Sequence, residues 1–389
     1  MAITARTGRI VAIDNLRGFV VLLVVMHHSM LAYCRFGHFD RRHYLWSSAP
    51  IVDGPGWLGF DVLVLFNDSF FMPYMFLLSG LFVWPSLVRK GPAAYFRDRL
   101  LRLGLPFAVG VATLVPLAYY PSFRMTGASI GFVDFWTQTV FSGPWPSGPL
   151  WFIAVLLGFD LAGVAVYGVV WQRNDVVRRR ITPAPLACFG LLVALSIIAY
   201  LPLLAIFGST RWFAFGPFTV QTSRIGLYAL YFFAGIVAGR QGLPRDLQGS
   251  EGPLQRHWAR WICLAALLFG LIVGVQALRL TAALTLPGFA WLGLYGLTLV
   301  LFSAAAGFAL LASFARFRQR PARLWSGLDT NAYGIYIVHY PIVVWAQYAM
   351  LEVRLSVILK AALVFVAAVS LSWVSVIALR RIPGAGRVI

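Results

Sequence analysis

An arginine and a histidine eleven residues apart in one apolar run form the first pattern in the sequence that could do chemistry. The run reads Asp14-Asn15-Leu16-Arg17-Gly18, then Phe19 to Met26, then His27-His28-Ser29. At about 100° per residue, Arg17 and His28 are three turns plus roughly 20° apart, so both leave one helix face, with about 16 Å of rise between them. His27 lies roughly 80° to the side. With Arg17 at the inner boundary of a bilayer, His28 is expected near the middle. An imidazole there is a candidate general base, and a guanidinium at the boundary is a candidate phosphate anchor. Two more ionisable groups interrupt apolar runs at similar depth. Asp160 follows Trp151 to Phe159, and His339 sits in Tyr333-Gly334-Ile335-Tyr336-Ile337-Val338-His339-Tyr340-Pro341. Each such group costs about 2.5–3.5 kcal/mol to insert, so three of them on three helices are expected to share a polar cavity. A carboxylate fixes the tautomer and basicity of an imidazole, so Asp160 is expected to orient a histidine, with the choice of histidine left open.

A second basic pair opens the third apolar run. Arg99 and Arg102 stand at i and i+3 in Arg97-Asp98-Arg99-Leu100-Leu101-Arg102 and are expected to share a face. Guanidinium forks bind phosphates in bidentate fashion, so together with Arg17 this pair could hold a polyphosphate cofactor entering from the cytoplasm. Ordinary snorkelling of basic side chains at a membrane boundary fits the same pair. Asp61 and Asp68, nearer the outer face of the second run, are candidates to contact an acceptor. Pro73, Ser79 and Gly80 mark a kinked or closely packed part of that run.

The elements that must position these residues follow from composition. The chain has 389 residues, 60% of them hydrophobic and only 12% charged. A soluble domain carries roughly 25% charged residues, so a soluble enzyme, a disordered tail and a fibrous repeat are excluded. The fold class expected is all-α, a polytopic integral membrane bundle of about ten helices, with the lipid bilayer as its solvent. The spans are placed at 16–34, 61–87, 101–120, 150–171, 186–207, 223–239, 262–279, 289–313, 332–350 and 356–379. No stretch between them is long enough for a second domain, so 1–389 reads as one domain. The first span is too long for a signal-peptide core, and no small-x-small cleavage site follows it.

Orientation follows from counting. With the N-terminus inside, the inner segments hold 23 of the 32 basic residues, among them Arg6, Arg9, Arg173, Arg178 to Arg180 and Arg320, and the outer segments hold nine. Both termini are therefore expected in the cytoplasm. The net charge of +19 is accounted for in the same way, so no nucleic-acid partner is expected. Cys34, Cys188 and Cys263 are too far apart for a disulfide framework or a zinc site. No two metal ligands stand at helical i, i+4 spacing within a span, so no metal is expected.

The sequence resembles the membrane acyltransferase family 3. Arg17-x10-His28 resembles its first-span motif and Arg99-x-x-Arg102 its second signature. Phe71-Met72-Pro73 with Leu78-Ser79-Gly80, Gly148-Pro149-Leu150-Trp151-Phe152 and Tyr333 to Pro341 are further matches, spread from residue 14 to 341. The resemblance implies transfer of an acetyl or succinyl group from cytoplasmic acyl-CoA (acetyl-CoA or succinyl-CoA) to a hydroxyl of an envelope or extracytoplasmic carbohydrate, in a multi-pass protein of the inner (plasma) membrane. It maps His28 to the family's essential histidine, and Arg17, Arg99 and Arg102 to positions that handle the donor. Phe71 to Gly80 and the last two spans look most like the branch that succinylates periplasmic glucans. The extra extracytoplasmic domain of some relatives is not expected. On this reading His28 deprotonates the acceptor, and His339 with Tyr333 or Tyr336 binds the carbonyl oxygen or positions His28. The alternative is a proton-coupled secondary transporter with His28, Asp160 and His339 as its relay.

Overall fold

A computed structural model of the chain describes residues 10–171, 184–247, 251–282, 284–318 and 323–388. Arg6, Arg9, Arg173, Arg178 to Arg180 and Arg320, counted above for orientation, lie outside these. The described chain is helical apart from one short hairpin. In order, the helices are α1 (Val11–Leu31), α2 (Leu58–Asp68), α3 (Phe71–Gly80), α4 (Val83–Lys90), α5 (Pro92–Arg99), α6 (Leu105–Ala112), α7 (Leu114–Arg124), α8 (Phe132–Phe141), α9 (Trp151–Val166) and α10 (Pro185–Phe207). Then come strands β1 (Trp212–Phe215) and β2 (Phe218–Gln221) and helices α11 (Ile225–Gln241), α12 (Leu243–Asp246), α13 (Pro253–Arg256), α14 (Trp258–Leu280), α15 (Gly288–Phe317), α16 (Arg323–Ala349) and α17 (Val357–Leu379). Among the described residues, nine helical stretches are long and apolar enough to cross a bilayer. The tenth expected span, 332–350, falls on α16. The chain is thus a polytopic membrane bundle.

α1 is the axial helix. It packs along α16 and also touches α2, α3, α15 and α17, and most of its residues are buried. By contrast α10, α14 and α17 leave most of their apolar surface exposed, as lipid-facing helices do. α1 begins earlier than the expected span, at Val11 rather than residue 16. Polar Asp14 and Asn15 are taken into the helix: Asp14 lies in the first turn, where a carboxylate meets the positive end of the helix dipole. Asn15 is buried and donates from Nδ2 to the Arg318 carbonyl beyond the end of α15, at 3.3 Å. Consequently Arg17 lies in the second turn and His28 in the last turn, within a few residues of the helix end rather than midway along it.

The second and third spans are broken helices. The second divides into α2, α3 and α4, with Phe70 outside helical geometry (φ −139°, ψ −31°). Pro73, in the first turn of α3, brings no N–H, so the break precedes it and the helix resumes through it. The third span contains a π-helical stretch, Leu100–Gly104, between α5 and α6. Such stretches turn following side chains to a new direction and recur at functional sites.

Where α3 crosses α11, the two backbones touch. A Cβ on Gly80 would lie 2.1 Å from the Phe232 carbonyl oxygen, one on Gly235 2.3 Å from that of Leu77, and one on Gly239 2.2 Å from that of Leu81. Three small residues along one crossing allow this approach, the usual way for membrane helices to gain packing contact. The closely packed segment expected around Gly80 is therefore present, with α11 as its partner.

Over the end of α1 that carries His28 the chain builds a cap. Ala32, Tyr33 and Cys34 are buried, and their carbonyls bind the following segment: Asp53 donates its N–H to Ala32 and Trp57 to Tyr33, at 2.8 and 2.9 Å. Lys360, counted above as an outer basic residue, is buried and pairs with Asp53 at 2.6 Å. The β1–β2 hairpin turns at Gly216 (φ +56°) and lies on the same side. It occupies a stretch that reads as an inter-span loop.

Gly235→Leu is expected to force α3 from α11 and lower stability by about 1–3 kcal/mol or more, seen as a lower thermal midpoint or loss of monodisperse protein. Gly158→Ala, where an added Cβ meets nothing within 4 Å, is expected to hold or raise that midpoint. Equal behaviour of the two variants would contradict the crossing.

Candidate active site

His28 owes its position to α16. Its carbonyl is among the last four of α1, which have no partner within the helix. Buried Gln347 supplies one, with Nε2 2.8 Å from the His28 oxygen and 3.3 Å from that of Ser29. The His28 ring packs 5.3 Å from His339, 5.1 Å from Tyr340 and 5.4 Å from His27, centroid to centroid. Its Nδ1 is buried with no hydrogen-bond partner.

His339 is fully buried. Its Nδ1 lies 2.7 Å from the carbonyl of Tyr336, one turn earlier on α16. A carbonyl only accepts, which assigns the proton of the neutral ring to Nδ1 and leaves Nε2 as an acceptor. That Nε2 is buried and unpartnered. A bare Nε2 cannot donate to an oxyanion, but it can receive an N–H from a neighbouring imidazole. Of the two roles expected for His339, the chemistry favours positioning His28.

His27, His28, Asp68, Met72 and Tyr336 line a cavity of about 840 Å³ that continues past Asp61, Trp151, Trp212 and Gln221 to Phe36, Ser48 and Thr281 in the cap. It therefore lies on the side of His28 away from the arginines; Arg17, Arg99 and Arg102 line none of it. Tyr336 donates its hydroxyl to the Pro149 carbonyl, and its ring packs on Phe152 at 5.7 Å. One turn below, Tyr333 donates to the backbone carbonyl of Arg102. From Tyr333 to His339 is about 9 Å of helix rise.

On the arginine side, Asp160 does not meet a histidine. Its Oδ1 accepts from the Tyr95 hydroxyl at 2.5 Å and its Oδ2 faces Nε of Arg99 at 3.6 Å. The Arg99 guanidinium also lies over the Tyr95 ring, 4.8 Å from its centroid, a favourable cation–π placement. Asp160 pairs with Arg99 because a buried carboxylate takes the nearest full positive charge, and α9 packs on α5 at that height. Arg102 lies inside the π-helical stretch that begins just after Arg99. Arg102 and Arg17 are exposed, while the Arg99 side chain is only a quarter exposed.

Of the two outer carboxylates, Asp61 accepts the backbone N–H of Arg35 at 2.8 Å. Asp68 ends α2, and the break there frees its carbonyl. Buried Arg224 answers both groups, with NH1 2.8 Å from the Asp68 carbonyl and NH2 2.6 Å from Oδ2. A cation at a helix C-terminus and a paired carboxylate are thus provided by one side chain. Sequence reading passed over Arg224, since an arginine heading an apolar run reads as an interfacial residue. Gln347 and Tyr95 were missed too, being uncharged. Burial, with Asp61 beside it, pushes the Cys34 thiol up to about 12, so Cys34 is an inert thiol at neutral pH, not an acyl carrier. Among the described residues no group of three or more His, Cys, Asp or Glu is placed to hold a metal ion.

Residues 10–377 match the model of a family described as an acyltransferase domain, Acyl_transf_3. No curated protein and no solved structure matches. With nearly its whole length inside that match, the chain belongs to the membrane acyltransferase family 3 and is an acyltransferase.

Asp68→Asn leaves the Arg224 guanidinium buried without a counter-charge and is expected to lower stability by about 3–5 kcal/mol. Adding Arg224→Met should recover part of that loss. Thermal midpoints of the two single variants and the double variant measure the coupling, and an additive double variant would contradict the pairing.

Proposed function

We propose that this acyltransferase takes an acetyl or succinyl group from acyl-CoA on the arginine-rich, cytoplasmic side of the plasma membrane. It passes the group to a hydroxyl of an envelope carbohydrate in the opposite cavity, with His28 as the base. The observation that carries this reading is His28 at the wall of that cavity with His339 packed behind it at 5.3 Å, His339 standing about 9 Å of helix rise from Tyr333, which bonds the Arg102 backbone.

Arg17, Arg99 and Arg102 are assigned to the coenzyme A phosphates. Asp160 and Tyr95 hold Arg99 and limit its freedom, so Asp160 acts as a positioning residue for the donor site. The pantetheine arm runs beside α16 and displaces the Tyr336 hydroxyl from the Pro149 carbonyl. That hydroxyl then becomes a donor aimed at the thioester oxygen. His28 donates Nδ1–H toward Nε2 of His339 after a small ring rotation, which presents its own Nε2 to the cavity. Asp61 and Asp68 accept from hydroxyls of the carbohydrate.

The chemistry balances without a metal. His28 Nε2 takes the acceptor's hydroxyl proton while the oxygen bonds to the thioester carbon. The tetrahedral oxyanion is held by Tyr336. It collapses with cleavage of the C–S bond, and the leaving thiolate takes the proton from His28. General-base catalysis of this kind contributes roughly 10²–10⁴-fold, and an oxyanion donor about 10²–10³-fold. A direct transfer suffices, and an acyl-histidine on His28 is the variant of the same chemistry. The transporter alternative asks Asp160 to pass protons to a histidine, and its pairing with Arg99 and Tyr95 disfavours that route.

Mass spectrometry of envelope glycans from cells with and without the protein tests the activity: a mass difference equal to one acyl group is expected, and identical glycans would contradict it. In purified protein, Arg99→Ala with Arg102→Ala is expected to raise the apparent KM for acyl-CoA with kcat little changed. Tyr336→Phe is expected to lower kcat by about 10²-fold with KM nearly unchanged. Unchanged kinetics in either case would return those side chains to structural roles.

A further inference from the structure

Two of the cavity walls are helices at the membrane surface of the bundle. On α2, Leu58, Asp61, Val62, Leu65 and Asp68 face the cavity; on α14, Val273, Gln276, Ala277 and Leu280 do. Both sets recur at three- and four-residue spacing, so each is one unbroken stripe of its helix. The helices meet lower down, where the Phe66 and Phe269 rings lie 5.0 Å apart. From there outward the cavity lies between them. Their neighbouring faces are turned to lipid: Leu63 on α2 is 39% exposed, and Leu271 and Leu278 on α14 are 49% and 44% exposed. α2 and α14 therefore flank a largely apolar cleft, interrupted by Asp61 and Gln276, with hydrocarbon on one side and the chamber of His28 on the other.

Polar side chains interrupt this apolar lining on both walls, Asp61 and Asp68 on α2 and Gln276 on α14. The α14 stripe is apolar except for Gln276, whose Oε1 is buried with no hydrogen-bond partner. An amide in a lipid-facing helix is costly unless something pairs with it. It faces the same cavity as Asp68, His27 and His28, whereas Leu58, Val62, Leu65, Val273, Ala277 and Leu280 carry no polar side-chain atom. A fully water-soluble sugar chain has no use for six apolar contacts. A molecule with both a hydroxylated head and a hydrocarbon tail matches both kinds of side chain in this lining. The tail does not belong to the donor, since the coenzyme A site proposed above lies on the opposite side of Tyr336.

We propose that the acceptor is a membrane-anchored glycan whose alkyl or prenyl tail lies between α2 and α14, with its head group held by Asp68 and Gln276 beside His28. This rests on reading the outer cavity as the acceptor's chamber, and it specifies that the acceptor arrives sideways from the bilayer.

The test uses binding rather than turnover. The full-length protein is placed in nanodiscs of phosphatidylethanolamine and phosphatidylglycerol and irradiated with a dodecyl β-glucoside carrying a diazirine near the end of its chain. Labelled peptides are then mapped by mass spectrometry. Label concentrated on residues 58–68 and 269–281 is expected, suppressed by excess dodecyl glucoside and not by glucose. Ala277→Trp, which fills the cleft, is expected to cut this labelling about tenfold, and Val62→Phe from the facing helix should act alike if the first variant does not fold. Leu267→Trp, on an exposed face of α14, should leave it intact. His28→Ala should also leave it intact, which separates failure of this inference from failure of the acyl-transfer reading. Label spread evenly over lipid-facing α10 and α17 would overturn the proposal. So would equal competition by glucose, or displacement by palmitoyl-CoA, which would give the cleft to the donor's chain.

Discussion

Every polar group in this protein that lies among the membrane helices must find its partner within the protein, because lipid offers none. The pairing of α1 with α16 is where that constraint has most effect. α1 ends just beyond His28, and the carbonyl left open there is taken by Gln347 of α16. One pair of helices thus fixes His28, places His339 at 5.3 Å and lets Tyr336 and Tyr333 bond the carbonyls of Pro149 and Arg102. If that seam shifted by one residue, the imidazoles would part and both tyrosine bonds would be lost.

The same constraint explains why the broken helices lie where they do. A break in a membrane helix exposes carbonyls, and two of the interruptions here are answered by a specific donor. Arg224 closes the end of α2 and Tyr333 reaches the Arg102 carbonyl inside the π-helical stretch. The glycine crossing of α3 and α11 then holds the broken second span against a straight partner.

Much of this was legible in the sequence. Long apolar runs separated by basic segments gave the spans, because a bilayer sets helix length and loop charge by rules that need no tertiary information. The cost of buried charge marked Asp160 and His339 as inward-facing, and both are buried. What stayed hidden depends on contacts between distant segments. Periodicity does not tell which neighbour a buried carboxylate meets, so Asp160 reads as a histidine's partner when it is Arg99's. A π-helical stretch leaves no compositional mark, so the run from Leu100 to Gly104 reads as regular helix. Arg224 reads as interfacial because its burial depends on the break after Asp68, some 150 residues earlier. The hairpin over the cavity is too short to stand out from a loop.

The central claim is that His28 removes a proton from the acceptor. It is tested most directly by the rate at which purified protein transfers radiolabelled acyl groups from acyl-CoA to envelope glycan, compared with His28→Ala of equal thermal midpoint. The account predicts that transfer falls by roughly 10²–10⁴-fold while acyl-CoA still binds. Transfer by the variant at the undiminished rate would contradict it.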